Sequence, residues 1–245
     1  MLKAQGTMRW LQCVALAAVV VGVPGCDEDP LIHQDDNATR KLYEKGAEGW
    51  TKWALEQDWS TGPVLDPDGS ACALGQSGKT WYLAGTTGGP VTRECTIPHG
   101  KRIFFPLLNR WVAPRPTSII DGDPENDLQA WIDFVTEYFA GNRASTCALT
   151  LRIEGQDLLP DFETMDEELY VQILDPFAIF MTDDNFATPF GGVAGERTTW
   201  VDGHWALLEP LPPGDYTLEF GGSTCDENDE VEFDTLATYT LHIEE

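Results

Sequence analysis

The stretch "ALGQSGKTWYLAG", residues 73–85, comes closest to a motif with defined chemistry. A phosphate-binding loop reads G-x-x-x-x-G-K-[ST], because its backbone N–H groups, its Lys and its hydroxyl surround phosphates and magnesium. Gly78, Lys79 and Thr80 fit that pattern, but the position of the first glycine holds Ala73. The segment after the motif is β-prone, whereas a phosphate loop opens a helix. The sequence therefore predicts a turn from Gly75 to Gly78 that leads into a strand, and no nucleotide ligand.

Nucleophile and histidine patterns are equally sparse. No G-x-S-x-G elbow is present, since "GQSGK" has its glycine one position too early. His99 in "CTIPHGKRIFF" and His204 in "VDGHWALL" flank predicted turns, where a histidine can act as a base, a ligand or a plain turn residue. Both are weak candidates for ligand binding. His33 and His242 fall on the N-terminal segment and on the polar side of the last strand.

Carboxylates are abundant, with 41 acidic residues, so the sequence alone cannot identify a catalytic pair. A glycoside hydrolase needs two acids across roughly 5 to 9.5 Å. Two acids facing each other in a cleft, one with a strongly raised pKa, would favour this activity. Calcium binding is a further alternative, suggested by the acidic cluster 226–234. The alternating acids at 121–127 are better explained by helix capping, since Asn126 and Ile132 replace the expected Gly and Glu.

Tryptophan gives the remaining functional lead. Exposed aromatic side chains on a β domain can form flat platforms for sugar rings. Trp59, Trp111 and Trp200 lie near predicted turns or loops and are weak candidates for such platforms. The other tryptophans of the folded part fall on core-facing periodicities.

The N-terminus resembles an export signal. Lys3 and Arg9 precede "LQCVALAAVVVGV", about 13 mostly apolar residues, too short to span a bilayer. The following "VGVPGC" resembles a bacterial lipobox, in which Cys26 would be acylated after cleavage, although Pro24 is unusual there. We expect residues 1–25 to be a signal peptide and 26–38 an acidic, lipid-anchored leash.

Charge narrows the possible partners. Removing residues 1–25 moves the formal net charge from −26 to −28. This charge repels nucleic acid and anionic head groups, so we expect no nucleic-acid partner and membrane contact through the lipid alone.

Four cysteines remain in the folded part: Cys72, Cys95, Cys147 and Cys225. An even number in an exported chain without C-x-x-C spacing indicates two disulfides, and three pairings are possible. The compact Gly-rich region that holds Cys72 and Cys95 favours their pairing, which leaves Cys147 with Cys225. With four scattered histidines, no metal or other cofactor is predicted.

Residues 39–245 are expected to form a single domain. Helices are predicted near 39–57 and near 124–140, the second capped by Asp123, with Pro124 in its first turn and Gly141 as its stop. Elsewhere period-two alternation and frequent turns predict roughly ten strands. The expected fold is dominated by β structure: an antiparallel β-sandwich or jelly roll with two accessory helices.

A longer pattern supports this interpretation. The stretch "DPDGSACALGQSGKTWYLAGTTGGPVTRECTIPHGKRIFFPLLN" resembles the signature of a group of exported bacterial β-rich proteins and lipoproteins without an assigned activity. Its elements are D-x-x-G-x-x-C, G-Q-x-G, L-A-G-T, a second Cys and F-F-P. The resemblance implies a secreted β domain with Cys72 paired to Cys95. It carries over no catalytic residue.

These observations favour a non-enzymatic function. We expect a lipid-anchored protein of a Gram-negative cell envelope, facing the periplasm or the cell surface, that binds a glycan or protein partner or has a structural role. The alternatives are an envelope glycoside hydrolase with paired carboxylates and a calcium-dependent adhesin-like domain.

Overall fold

The computed structural model describes residues 29–114, 127–159, 162–190 and 194–245. Within these ranges the secondary structure comprises α1 (Asn37–Leu55), β1 (Thr80–Tyr82), β2 (Gly89–Ile97), β3 (Arg102–Val112), α2 (Leu128–Ser145), β4 (Thr146–Ile153), β5 (Gln156–Asp157), α3 (Phe162–Leu169), β6 (Tyr170–Met181), β7 (Gly195–Leu208), β8 (Gly214–Cys225) and β9 (Val231–Ile243). The predicted signal peptide, Cys26, Asp123 and Pro124 lie outside the described residues.

Strand dominates, as the sequence predicts, but the sheets are mixed and the antiparallel expectation is wrong. One sheet has the order β1-β3-β7-β6 and the other β2-β9-β8-β4-β5. The β1–β3 and β2–β9 pairs are parallel, while the remaining pairs are antiparallel. Period-two alternation fixes which side chains share a face but not which strands pair, so the sequence could not distinguish these topologies.

The first sheet lies between α1 and the second sheet. On one face Trp205 of β7 packs at 5.4 Å from Trp50 of α1, measured between ring centroids. On the other face Phe105 of β3 lies 4.3 Å from Phe220 of β8. Most of the buried apolar side chains belong to one cluster that spans these layers.

Helix α1 occupies nearly the predicted segment. The Asp36 side chain accepts hydrogen bonds from the backbone N–H groups of Ala38 and Thr39, which caps the helix start. Gly46 weakens helix propensity, but a Cβ there would lie 2.5 Å from the Phe104 ring, so the close approach of α1 to β3 requires glycine.

Helices α2 and α3 depart from the prediction. Helix α2 begins at Leu128, after Asp127 as its cap, and continues through Gly141 to Ser145. Glycine alone does not stop a helix when the following residues can continue it. Helix α3 forms where the sequence pattern predicts no helix. It ends where β6 begins, which places Asp166 close to the start of that strand.

Two disulfides form with the favoured pairing. Cys72 bonds Cys95, and Cys147 bonds Cys225, with Cα atoms 5.8 Å apart in each case. Disulfides form and persist in oxidising compartments, which agrees with an exported protein. Among the described residues no helix is long and apolar enough to cross a membrane.

The predicted turn between Gly75 and Gly78 is present. Both glycines have positive φ, +65° and +71°, a conformation that favours glycine. Strand β1 begins at Thr80, where a phosphate loop would open a helix. The Gln76 side chain donates from its Nε2 to the Tyr82 carbonyl and accepts from the Tyr82 N–H at its Oε1, which fixes the turn against that strand.

Arg93 of β2 joins the loops on either side of this turn. Its side chain is buried and donates hydrogen bonds to the backbone carbonyls of Val64, Asp66, Ala84 and Gly85, and to the Tyr239 hydroxyl. A buried guanidinium is costly unless its N–H groups are satisfied, and here each of the three nitrogens has a partner. Arg93 therefore has a structural role, organising loops that carry little regular structure.

Candidate functional site

Two polar side chains on β7 interrupt the buried apolar surface of the first sheet. Asp202 and His204 are 2 % and 1 % exposed, and their spacing places both on the face toward the second sheet. Gly203 between them has φ +146°, and a Cβ there would lie 2.4 Å from the Leu108 carbonyl oxygen. Glycine therefore lets β3 approach β7 closely beside these two residues.

The Asp202 carboxyl group is only half satisfied. Tyr170 of β6 donates its hydroxyl to Asp202 Oδ2 at 2.9 Å, while Oδ1 is buried without a partner among the described residues. Burial raises the pKa of Asp202 to about 7, although the bond from Tyr170 and the charges of Arg110 and Arg143 oppose the shift. Asp202 can therefore accept or donate a proton near neutral pH.

His204 is held by a second carboxylate. Its Nε2 lies 2.8 Å from Asp166 Oδ1 of α3. Burial lowers the pKa of His204 despite the attraction of Asp166, so the ring is neutral at pH 7 and Nε2–H is the donor. Nδ1 is then the basic nitrogen of the ring. A carboxylate that fixes the tautomer and orientation of a histidine is a recurring device in acid–base sites.

Arg143 of α2 completes the cluster. Its Nε and Nη2 donate to Asp166 Oδ2 at 3.1 and 2.7 Å, and its guanidinium carbon lies 4.2 Å from the centroid of the Tyr170 ring. Partial burial would raise the pKa of Asp166, but the hydrogen bonds from Arg143 and His204 outweigh it and lower that pKa. Burial, and then the charge of Asp202, raises the pKa of Tyr170, so its hydroxyl remains a donor. We call these five residues the Asp202 cluster: Arg143, Asp166, Tyr170, Asp202 and His204.

Three spaces adjoin the cluster and share lining residues. A cavity of about 10 Å³, room for about one water molecule, is lined by Asp202, His204 and eight other residues. Leu108, Asn109 and Arg110 line both this cavity and a larger groove. Arg143 and Tyr170 line both the cavity and a polar cleft of about 420 Å³. The cavity beside Asp202 thus borders both larger spaces.

The groove has a volume of about 480 Å³. It follows the part of β3 beyond Phe104, where β1 no longer pairs with it, and it reaches the start of β9. The residues that line it are Thr87, Leu107, Leu108, Asn109, Arg110, Trp111, Phe233 and Thr235. The groove thus combines aromatic surface, hydroxyl and amide groups and one guanidinium, which together suit a ligand with both flat apolar faces and hydroxyl groups.

The candidates from the sequence do not converge on one site. Trp111 is half-buried and lines the groove, whereas Trp59 packs on Phe186 at 5.9 Å, outside it. Trp200 is fully buried and stacks on Trp131 of α2 at 6.0 Å, so it is a core residue and not a platform. His99 is exposed in the turn after β2, while His204 belongs to the Asp202 cluster.

Sequence reasoning missed the partners of His204. One signal was available, since Asp202 and His204 occupy the same face as Trp200, Ala206 and Leu208 in an otherwise apolar alternation. A carboxylate on a core-facing position indicates a buried acid, which is rare without a function or a partner. Tyr170, Asp166 and Arg143 carry no comparable signal.

The acidic segment suggested for calcium, 226–234, comprises the turn between β8 and β9 and the first residues of β9. The Asp226 side chain accepts hydrogen bonds from the backbone N–H groups of Asn228 and Glu230, so it stabilises its own turn. These bonds lower the pKa of Asp226. In the part of the chain that the structure describes, no group of three or more His, Cys, Asp or Glu side chains could hold a metal ion.

Comparison of the chain with protein-family models, curated proteins and solved structures finds no match.

Proposed function

We propose that the protein is a lipid-anchored cell-envelope protein whose folded domain binds a glycan in the groove beside Trp111. The groove is the observation that carries this proposal, because its lining combines the aromatic residues Trp111 and Phe233 with the hydroxyl-bearing residues Thr87 and Thr235. Sugar rings present one apolar face and a rim of hydroxyls, which such a surface complements. The two disulfides support an exported location.

Thermal unfolding of the purified protein against a panel of envelope and extracellular oligosaccharides tests glycan binding. A ligand at 100 times its Kd adds about 2.7 kcal/mol, which raises the Tm by several degrees. Trp111→Ala should abolish the shift. Trp59→Ala is the matched control, since both tryptophans pack on Phe186 but only Trp111 lines the groove. A panel without any shift, or equal loss in both variants, would overturn the proposal.

The tether is tested separately. Acylation of Cys26 predicts that cells fed a labelled fatty acid incorporate the label into the protein and that Cys26→Ser abolishes incorporation. The same substitution should release the protein from the membrane fraction. Labelling that persists in Cys26→Ser would contradict the proposed lipid site.

Two finer proposals concern classification. The contact between Phe105 and Phe220 supports a sandwich arrangement of the two sheets. The bond between Cys72 and Cys95 fits the pairing implied by the resemblance to exported β-rich bacterial proteins. Both would be supported by a solved structure of a protein from that group with the same two mixed sheets.

Glycoside hydrolysis is the second candidate, and the opposite pKa shifts of two nearby acids favour it. Asp202 could supply a proton near neutral pH, while Asp166 stays ionised beside His204. The test is release of reducing ends from any glycan that binds, compared between the native protein and Asp202→Asn. Turnover that disappears in the variant, with binding retained, would establish the hydrolase, and binding without turnover would exclude it for that glycan.

A further inference from the structure

Arg110 is the one charged side chain among the described residues that line the groove. Its guanidinium carbon lies 5.5 Å from the centroid of the Phe233 ring, and its Nη1 donates to the Asn109 carbonyl at 3.0 Å. No carboxylate of the described residues forms an ion pair with it, so most of its N–H donors are available to a ligand.

The chain has 41 acidic and 15 basic residues. Arg102, Arg143 and Arg152 each pair with an acid. The nearest acid to Arg110 along the sheet is Asp202, directly opposite on β7, but its Oδ2 accepts from Tyr170 and burial favours its neutral form. Arg110 therefore keeps its charge uncompensated at the groove.

We propose that the groove selects an acidic glycan, whose carboxylate is bound by Arg110 beside the Phe233 ring. The guanidinium presents paired N–H donors that match a carboxylate in a bidentate geometry. This inference rests on the proposed glycan binding and names the class of its ligand.

The test compares two ligands that differ only in charge: trigalacturonate and its fully methyl-esterified form. Isothermal titration of the purified protein at pH 6 should show at least about tenfold tighter binding of the acid, the range expected for a charge-assisted bidentate contact. Arg110→Gln should reduce this ratio to about one. Arg110→Lys, which keeps the charge but loses the paired donors, should give an intermediate ratio.

Arg152→Gln is the matched control, because it removes the same charge from a strand of the second sheet that does not line the groove. The ratio of acid to ester affinity in Arg152→Gln should equal that of the native protein. Equal binding of acid and ester by the native protein would overturn the inference and leave the proposed function standing. Binding of neither would overturn both for this sugar class. An equal effect of Arg110→Gln and Arg152→Gln would show that net charge, and not Arg110, sets the preference, which also overturns it.

Discussion

Arg93 and Asp202 are both buried, yet their surroundings differ in a way that separates structure from function. Every nitrogen of the Arg93 guanidinium donates to a carbonyl or hydroxyl oxygen. Asp202 accepts one hydrogen bond, and its second oxygen has no partner among the described residues. A buried polar group whose hydrogen bonds are all formed stabilises the fold, whereas one that lacks a partner costs free energy of folding. Buried ionisable groups with shifted pKa values concentrate at functional sites.

The positions of the two groups reinforce this difference. Arg93 is enclosed by loop backbone, including the carbonyls of Val64 and Ala84. Asp202 instead borders a cavity that shares lining residues with a groove and with a cleft. The comparison therefore assigns Arg93 to folding and the Asp202 cluster to the candidate functional site.

The largest expected effect is on stability at Arg93. Arg93→Met leaves the carbonyl groups of Val64, Asp66 and Gly85 without this donor, while the Ala84 carbonyl keeps the Tyr239 hydroxyl, so the free energy of unfolding should fall by at least about 3 kcal/mol. Denaturant titration measures this change. Arg102→Met, which removes an exposed arginine paired with Glu209, should cost less than about 1 kcal/mol. Similar losses in the two variants would remove the structural distinction.

Removing the charge of Asp202 should raise the free energy of unfolding, where removing Arg93 lowers it, and the size of the increase should depend on pH. Because the folded-state pKa is about 7 and the model-compound value is 3.8, the unfolded chain loses this proton first as pH rises. The contribution to stability therefore falls between about pH 4 and pH 7, by up to about 4 kcal/mol. Asp202→Asn should remove that slope and stabilise the protein at pH 8 by about 1 to 3 kcal/mol.

Urea titrations from pH 4 to pH 8.5 measure this effect. Asp157→Asn removes an exposed carboxylate paired with Arg152 and should leave the slope unchanged. Destabilisation of Asp202→Asn at pH 8 would show that the carboxylate is satisfied, contrary to the comparison.

A smaller effect is expected at His204. Its folded-state pKa is lowered by burial, so its neutral form stabilises the fold above the unfolded pKa of about 6.5, and this contribution is lost as pH falls below it. His204→Gln, which keeps a donor for Asp166, should make the free energy of unfolding fall less steeply as the pH is lowered through about 6.5. The exposed His242, paired with Asp215, provides the control His242→Gln. If the free energy of unfolding depended on pH in the same way for the native protein and for His204→Gln, the lowered pKa assigned to His204 would be contradicted.

The smallest expected effect is a pH dependence of ligand affinity in the groove that arises from the Asp202 cluster. As Asp202 ionises through about pH 7, it should compete for Arg110, so an acidic ligand should bind severalfold more weakly at pH 8 than at pH 6. Asp202→Asn should remove this dependence in calorimetric titrations, and its persistence would exclude Asp202 as the cause. The charged and titratable groups around Asp202 are Arg110, Arg143, Asp166, Tyr170 and His204.

Much of the scaffold could be predicted because its signals are local. The stripe of Tyr43, Ala47, Trp50 and Ala54 predicts α1 to within two residues at each end, and the alternation of Tyr239, Leu241 and Ile243 predicts the last strand. Parallel pairing of β2 with β9 is set by contacts between distant parts of the chain. No local pattern encodes it.

The candidate site likewise depends on contacts between distant parts of the chain, which local patterns do not predict. His204 and Trp111 were candidates from their types and neighbours, but the bonds that give His204 a role join residues 38 and 23 positions apart. Helix α3 had to be recognised before Asp166 could be placed. The pKa of Asp202 likewise depends on burial by α2, β3 and β6, which composition does not reveal.

The pKa of Asp202 tests the account most directly. Carboxyl carbon NMR of protein labelled at aspartate, titrated from pH 3 to pH 9 and assigned with Asp202→Asn, follows this group alone. We predict one carboxyl resonance that titrates near pH 7 and is absent from the variant. If the Asp202 resonance instead titrated below about pH 5, the group would be solvated or fully bonded, and the contrast with Arg93 on which the candidate site depends would be wrong.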